Sequence, residues 1–441
     1  MLQQSIYTHI FHNDGRFFIY NSKNSLLAEI TEDLYEYLYN RNYDSLPDSV
    51  VSELINKEVL CDDSEQFLYY SEELVKFNAS AYNDTELGIV IVPTTNCNFD
   101  CPYCFEGKKQ PHIMTEDVQD AIIDHISSNK NASKIHLTWY GGEPLMAFNV
   151  MQNLYNKIKL IDSKTISSHT IITNGYLISE GVINFINYAK VRDIQITLDG
   201  NRSHHDSLRC LRVSHKPTYE TILKNIQWIL GKCPEVSLSI RVNINKENYK
   251  DFFEVYKYFQ ENLNSHKITV YPGFIREDTP DKCSLCYNSM PDEFKYHFYK
   301  ELRNNGVNVN FLPEAVKKRG CMMHQLNSFI VGPRGELYKC WNDVNNDDKI
   351  IGYINNDLIK NRNLFYHMLT ETHPFADSNC KNCLQFPICS GGCGWYRSRN
   401  ITANGRFNIC PIHKNLSILE DSLVRSLDKE NIIYHQQIPV S

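Results

Sequence analysis

The sequence has no apolar run that approaches the roughly 20 residues a helix needs to cross a bilayer, and no N-terminal signal-peptide pattern. It also has no basic excess, because 45 lysines and arginines stand against 52 aspartates and glutamates. A formal charge of -7 provides no general attraction to nucleic acid or to anionic membranes. We therefore predict a cytoplasmic protein with no nucleic-acid or membrane partner, in which any anionic ligand is held by a local site.

Low-complexity tracts and zinc-protease histidine spacings are absent too, and 42% hydrophobic residues is typical of a globular protein. The 441 residues suit two or three domains. What the sequence has in quantity is cysteine, with 15 residues. Disulfides are rare in a reducing compartment, so clustered cysteines here indicate metal ligands.

Residues 1–85 predict a small α+β domain. Three short β-like runs, separated by the turn signals HNDG and NSKN, precede two helical patterns and a strand-like run at 66–72. Residues 78–87 lack apolar periodicity and are interpreted as a linker. A module of this size is near the lower limit for a self-sufficient core.

Residues 86–280 predict an α/β domain, because buried strands alternate there with amphipathic helices. This alternation is typical of a parallel sheet wound in βα units, and six units make a partial (β/α)6 barrel of the TIM-like type. The strand candidates are LGIVIVPTT, KIHLTWY, SHTIITN, DIQITLD, VSLSIRVNI and KITVYPGF. Residues 281–320 are interpreted as a bridging region. Residues 321–441 form a cysteine-rich domain that folds around metal and ends in a helix.

Three cysteines, Cys97, Cys101 and Cys104, follow the first barrel strand in the sequence CNFDCPYC. Three thiolates can hold three irons of a four-iron cluster and leave the fourth iron open, whereas a structural zinc site needs four protein ligands. The spacing resembles the CxxxCxΦC motif of radical S-adenosylmethionine (radical SAM) enzymes. That resemblance implies a 4Fe-4S cluster, S-adenosylmethionine on its open iron, and a 5'-deoxyadenosyl radical as reagent, with Tyr103 near the adenine.

Motifs at the ends of the following strands fit the same family. The resemblance implies that the GGEP loop approaches the amino group of S-adenosylmethionine and that Arg209 pairs with its carboxylate. The cofactor-binding candidates are Tyr103, Gly141, Gly142, Glu143, Pro144, Thr173, Asn174, Thr197, Asp199, Arg209 and Asn243. Each motif alone is also typical of a plain strand-to-helix turn; their order along the chain favours the cofactor site.

Seven C-terminal cysteines have the order and spacing of the SPASM domain, which follows the barrel in peptide-modifying and protein-modifying enzymes. The resemblance implies one auxiliary 4Fe-4S cluster on Cys380, Cys383, Cys389 and Cys410. It implies a second on Cys321, Cys340 and Cys393, for which Cys283 or Cys286 supplies the fourth ligand or one iron stays open. Zinc sites remain the alternative by spacing alone. The remaining cysteines are interpreted as structural residues: Cys61, Cys210 and Cys233.

The N-terminal module resembles the winged-helix-like domains that bind leader peptides, with a structural cap as the alternative. The whole chain therefore resembles a radical SAM peptide maturase, which crosslinks a ribosomally made precursor peptide by a thioether or carbon-carbon bond. The expected partners are a precursor peptide with its leader and a flavodoxin or ferredoxin electron donor. A sulfatase-maturing enzyme is the alternative, although Trp341 stands where that group has an acidic residue. A non-catalytic binding scaffold is the third hypothesis.

Overall fold

The computed structural model describes residues 1–104, 110–263, 266–275, 291–318, 320–355, 358–403, 405 and 407–427. The chain divides into two units. The terminal unit comprises residues 1–82, 292–325 and 367–441, and the barrel unit comprises residues 83–291 and 326–366. Within the described ranges no helix has the length and apolar character needed to cross a membrane.

The secondary structure alternates most regularly in the barrel unit. Across the described ranges the strands are β1 (Leu2–Gln4), β2 (Thr8–Asn13), β3 (Arg16–Asn21), β4 (Leu26–Ile30), β5 (Leu60–Asp62), β6 (Glu86–Ile91), β7 (Lys134–Trp139), β8 (Thr165–Thr173), β9 (Asp193–Leu198), β10 (Ser237–Ile244), β11 (Ile268–Phe274), β12 (Ser328–Val331), β13 (Glu336–Tyr338) and β14 (Gly352–Tyr353). The helices are α1 (Glu32–Tyr39), α2 (Asp48–Asn56), α3 (Leu68–Ala81), α4 (Glu116–Ser128), α5 (Phe148–Lys159), α6 (Glu180–Tyr188), α7 (Arg202–Leu208), α8 (Tyr219–Lys232), α9 (Asp251–Asn262), α10 (Asp292–Asn304), α11 (Arg362–Thr370), α12 (Ser378–Lys381), α13 (Gly394–Thr402) and α14 (Leu416–Leu427).

The barrel unit contains a sheet in the order β11-β10-β9-β8-β7-β6-β12-β13-β14. All six predicted barrel strands are present, and β6 to β11 run parallel to their neighbours. On β9 the alternate residues Ile194, Ile196 and Leu198 are buried, while Gln195 and Thr197 face the other side and stay partly exposed. Because the strands are parallel, the motifs that follow β6, β7, β8, β9 and β10 all emerge at one edge of the sheet.

The barrel sheet extends beyond the predicted six strands. β12 lies parallel beside β6, with Ser328 opposite Gly88 and Val331 opposite Ile91. β13 and β14 then continue antiparallel. The strand candidates predicted from the sequence do not include β12, β13 or β14. The short run SFIV, which is fully buried, gave too brief an apolar signal in a segment dominated by polar residues.

The terminal unit contains an antiparallel sheet in the order β2-β3-β4. The β2–β3 hairpin turns at Asp14 and Gly15, which both have positive φ and so suit a two-residue turn. Residues of α1 and α2 pack against Ile19 and Ile30, and Leu419 and Leu423 of α14 pack with residues of the opposite face. In this sheet β4 is an edge strand, since β3 is its one sheet neighbour in the described part of the chain.

One prediction for the N-terminal region is wrong, because the strand predicted at residues 66–72 lies at the start of α3. The linker predicted at 78–87 is shorter than expected: α3 ends at Ala81, β6 begins at Glu86, and the boundary between the two units falls between residues 82 and 83. Tyr70, Phe77 and Ala81 are buried on one side of α3 at helical spacing. Tyr70 packs there against Phe375 and Phe386, so tertiary contacts of the aromatic side chains outweigh their strand propensity.

Candidate active site

The three-cysteine loop leaves β6 and is held at its start by backbone pairing. Thr94 Oγ1 donates to His112 O at 2.7 Å, and Met114 N donates to Pro93 O at 2.9 Å. A turn then joins Cys104 N to Cys101 O at 3.1 Å. The cysteine loop therefore begins on a fixed base at the carboxyl end of a buried strand.

The three thiols lie close enough for their charges to interact. Burial raises the pKa of Cys101 to about 12, the nearby Arg209 lowers it, and the charges of Cys104 and Cys97 raise it. In the part of the chain that is described, no group of three or more His, Cys, Asp or Glu side chains is already arranged as a metal site. The fit to an iron-sulfur cluster therefore rests on three thiol donors in one loop, which must lose their protons when they bind metal.

The GGEP loop contacts the base of the cysteine loop. A Cβ atom on Gly141, whose φ is +126°, would lie 2.6 Å from Thr94 O, and one on Gly142 would lie 2.2 Å from Asn96 O. Glu143 N donates to Asn96 O at 2.7 Å. Glycine is therefore required at both positions because backbone meets backbone, a contact that the resemblance to a cofactor loop did not predict.

Glu143 connects the GGEP and TNG motifs. Its side chain is fully buried and accepts hydrogen bonds from Thr173 Oγ1 and Asn174 N, each at 2.7 Å, and from Leu145 N at 3.1 Å. Burial raises the pKa of Glu143, and these hydrogen bonds oppose the shift. Glu143 thus serves to position the loops, and Pro144 begins the short 3-10 helix Pro144–Ala147 directly after it.

A buried polar network joins the cysteine loop to β9 and β10. The Tyr103 hydroxyl donates to Asp199 Oδ2, and Asn243 Nδ2 donates to Asp199 Oδ1 at 3.1 Å. Arg209 Nη1 donates to Tyr103 Oη at 3.0 Å and lies 3.8 Å from Asp199 Oδ1. Asp199 is 0% exposed and Arg209 is 8% exposed. Each charge is therefore shielded from water and is stabilised by the opposite charge of the other.

Arg209 retains a spare hydrogen-bond donor. Its Nε is buried and has no hydrogen-bond partner among the described residues. A buried guanidinium with an unused donor is suited to an anionic group of a ligand, because an unsatisfied buried donor is costly. This observation supports the fit of the site to the carboxylate of S-adenosylmethionine.

The sequence did not predict the buried residues His205 and Thr218, which hydrogen-bond to the backbone of Asp199 and Arg209. His205, which precedes Arg209 in the segment HHDSLR, is 0% exposed. Asp199 N donates to His205 Nδ1 at 3.3 Å, so Nε2 carries the proton and donates to Thr218 Oγ1 at 3.0 Å. Thr218 Oγ1 in turn donates to Arg209 O at 2.7 Å. The only sequence signal was helical spacing in HHDSLR, which gives no indication of burial.

The remaining predicted site residues are distributed as follows. Thr197 lies on β9 beside Arg241 of β10 and is partly exposed. Cys340 lies in the barrel unit, whereas the terminal unit contains Cys321, Cys380, Cys383, Cys389, Cys393 and Cys410. Cys283 and Cys286 lie outside the described residues. Of the cysteines outside the motifs, Cys233 is buried and Cys61 donates to Gln66 Oε1 at 3.0 Å.

Comparison with known proteins gives matches over most of the chain. Residues 91–259 match the Radical SAM superfamily. A cysteine-type anaerobic sulfatase-maturating enzyme of Clostridium novyi (strain NT) is 25% identical over 355 residues, which is 73% of this chain and 92% of that protein. A solved structure of anSMEcpe with bound AdoMet and the Kp18Cys peptide has a TM-score of 0.61 at 20% identity, and covers 78% of this chain and 98% of its own. The structure of Streptococcus suis SuiB bound to S-adenosylmethionine has a TM-score of 0.52 at 16% identity. This match covers 90% of this chain and 96% of the SuiB chain. At these identities the two structural matches show the fold alone.

Proposed function

We propose that the chain, whose residues 91–259 match the Radical SAM superfamily, is a peptide maturase that installs an intramolecular crosslink in a ribosomally made precursor peptide. The crosslink is a thioether or a carbon-carbon bond. The observation that carries the peptide assignment is the N-terminal module, in which the edge strand β4 adjoins an aromatic surface. A flavodoxin or ferredoxin is the proposed electron donor.

The proposed cofactor site is built from the motif loops at one edge of the barrel sheet. Cys97, Cys101 and Cys104 would hold a 4Fe-4S cluster, which together with S-adenosylmethionine supplies the 5'-deoxyadenosyl radical. Arg209 would orient the carboxylate of S-adenosylmethionine through its spare Nε, and Tyr103 would contact the adenine. The other proposed pocket residues are Gly141, Gly142, Glu143, Pro144, Thr173, Asn174, Thr197, Asp199 and Asn243.

We assign leader binding to the winged-helix-like module. An edge strand can accept an added peptide strand through main-chain hydrogen bonds, and side-chain pockets then provide specificity. Phe17, opposite Ile30 of β4, lies 4.9 Å from the ring of Tyr35, which stacks on Tyr39 at 5.8 Å. Tyr39 is 68% exposed. Of the tyrosines in DLYEYLYN, Tyr35 and Tyr37 pack partly into the core, so Tyr39 is the one best placed to contact a peptide.

Tyr39→Ala is expected to weaken binding of the precursor peptide about tenfold, or about 1.4 kcal/mol, because exposed tyrosines at interfaces often contribute more than 1 kcal/mol. Isothermal titration with the full precursor peptide measures this change. Cleavage of S-adenosylmethionine without peptide should stay at the wild-type rate. Tyr188→Ala, which removes a tyrosine 53% exposed on α6, is the matched control. Equal peptide affinity of both variants and the wild type would count against leader binding at this surface.

The C-terminal cysteines are proposed to form a SPASM domain with two auxiliary 4Fe-4S clusters. Cys380, Cys383, Cys389 and Cys410 would hold the first. In the structure, the charges of Cys389 and Cys383 act on Cys410, and that of Cys383 acts on Cys380. Cys321, Cys340 and Cys393 would hold three irons of the second, with Cys283, Cys286 or an open iron completing it.

A sulfatase-maturing activity is the second candidate, favoured by the match to the Clostridium novyi enzyme. In that group an acidic residue follows the second cysteine of the SPASM pattern and is suited to act as a base. Here Trp341 follows Cys340, and its ring lies 5.6 Å from that of Tyr140, the residue before the GGEP loop. Asp343, two residues further, is buried. The absence of an acidic residue at position 341 weakens this second candidate.

Tandem mass spectrometry after anaerobic co-expression tests the two functions against each other. One arm uses short cysteine-bearing peptides encoded beside the gene, and the other uses a sulfatase with its own modification site. A peptide lighter by two hydrogens, with fragmentation blocked between two residues, supports the maturase. Conversion of a cysteine or serine side chain of the sulfatase into an aldehyde, with every peptide unchanged, supports the alternative.

A further inference from the structure

The four cysteines assigned to the first auxiliary cluster are contacted by cationic side chains. Lys414 Nζ donates to Cys383 Sγ at 3.3 Å, and Arg397 Nη2 donates to Cys380 Sγ at 3.4 Å. The charges of Cys410 and Cys380 also act on Lys414. Lys414 therefore donates a hydrogen bond to one of the four thiols and interacts electrostatically with two more.

Arg397 is fixed in place by three different groups. Its Nε donates to Gly391 O at 2.8 Å, and its Nη1 donates to Asp377 Oδ2 at 2.7 Å. Asp377 caps α12, the helix that carries Cys380, by accepting a hydrogen bond from Asn379 N. Arg397 is 7% exposed, so its guanidinium is held at the cysteines in little contact with water.

A third cation lies on the Cys389 side. Lys318 is 4% exposed, donates to Pro387 O at 3.2 Å and packs over the Phe386 ring at 4.5 Å. Its charge interacts with that of Cys389 and with that of Glu73. Near the four thiols the cations thus include Lys318, Arg397 and Lys414, and the carboxylates include Asp377 and, acting on Lys318, Glu73.

We propose that Lys414 and Arg397 donate hydrogen bonds to the sulfurs of the first auxiliary cluster, raise its reduction potential and so make it the electron acceptor of the crosslinking reaction. This inference rests on the proposed function. A four-cysteine cluster carries more negative charge when reduced, so fixed cations and N–H donors stabilise the reduced form. Coordination by four thiolates also leaves no open iron for the substrate.

The electron balance of thioether formation requires such an acceptor. The 5'-deoxyadenosyl radical takes a hydrogen atom from a substrate carbon and becomes 5'-deoxyadenosine. The carbon radical then bonds to a cysteine sulfur of the same peptide, whose S–H bond breaks and whose proton leaves to solvent. One electron remains, and the first auxiliary cluster would accept it and pass it to the external electron carrier.

Potentiometric titration followed by electron paramagnetic resonance tests the role of Lys414. The full-length protein with Cys97, Cys101 and Cys104 replaced by alanine retains only the auxiliary clusters. On this background, Lys414→Met is expected to lower the ratio of reduced to oxidised cluster about tenfold at a fixed potential, which is about 59 mV for a one-electron couple. Lys414→Arg should bring the reduction potential most of the way back to that of the parent protein. The iron content per chain should not change in either variant, because Lys414 is not a ligand.

Lys381→Met is the matched control, since Lys381 neighbours Cys380 in sequence but its ammonium group lies 4.6 Å from the centroid of the Phe67 ring. We expect no change in potential for this variant. An unshifted potential in Lys414→Met with full iron content overturns the inference and leaves the proposed function standing. A parent protein without iron at the C-terminal cysteines would instead contradict the auxiliary clusters themselves.

Discussion

Cys101→Ala is expected to reduce cleavage of S-adenosylmethionine to the level seen without protein. Cys101 is the central ligand of the proposed cluster, and the two remaining thiolates cannot hold three irons. Burial raises the pKa of Cys101 to about 12, and an alanine side chain has no atom that could replace the lost thiolate as a ligand. Liquid chromatography of 5'-deoxyadenosine, formed anaerobically with a chemical reductant, measures the loss.

Iron analysis of the same variant distinguishes the cluster of the cysteine loop from the auxiliary clusters. Iron bound by the C-terminal cysteines should remain, because those residues belong to other segments of the chain. Cys61→Ser is the control, since a serine hydroxyl can keep the hydrogen bond that Cys61 donates to Gln66 Oε1. We expect wild-type cleavage from this control. Undiminished 5'-deoxyadenosine formation by Cys101→Ala would refute the assignment of the cluster loop.

The parallel sheet of the barrel unit could be predicted from the sequence because its signals are local. Each strand from β6 to β11 is a short apolar run bounded by turn residues, and each is separated from the next by a helix of ordinary length. The parallel arrangement follows from such repetition. The cysteine spacing and the loops after each strand then indicated which edge carries the site. None of these inferences required knowledge of contacts between distant residues.

The errors arise where distant contacts decide the structure. α3 resembles a strand locally, and becomes a helix because Tyr70 and Phe77 meet aromatic residues about 300 positions away, such as Phe375. β12 is recognisable only once β6 offers an edge to pair with. Sequence spacing likewise does not reveal that Glu143 accepts from Thr173 and Asn174, because those bonds join the ends of two strands.

The structure also changes the experiment that best tests the N-terminal module. Removing residues 1–85 is a natural way to test leader binding by sequence alone. In the terminal unit, however, Phe18 and Tyr20 pack with Leu419 and Leu423, and Tyr20 Oη donates to Pro313 O at 3.0 Å. Deletion would expose this core, so a loss of peptide processing could come from lost leader binding or from lost folding. A surface substitution is therefore the better test.

Asp199→Asn and Arg209→Met are each expected to destabilise the site by about 3–5 kcal/mol, because either change leaves a buried charge without its partner. Hydrogen exchange of peptides covering β9 and β10 measures this local stability, which a global unfolding curve of two units would blur. Arg202→Met removes an arginine from α7, the helix that directly precedes Arg209, where the ion pair of Arg202 with Glu220 at 3.4 Å is exposed. This control substitution should lower the local stability by no more than about 1 kcal/mol.

The double variant Asp199→Asn with Arg209→Met separates stability from cofactor binding. With both charges removed no uncompensated ion remains, so exchange protection should return towards that of the wild type, with a coupling energy of up to about 3 kcal/mol. Cleavage of S-adenosylmethionine should nevertheless stay lost, because the guanidinium that orients the cofactor carboxylate is absent. Recovery of protection together with recovery of cleavage would show that Arg209 serves only the fold. A double variant as unstable as the sum of the two single variants would show that the two side chains do not act as a pair.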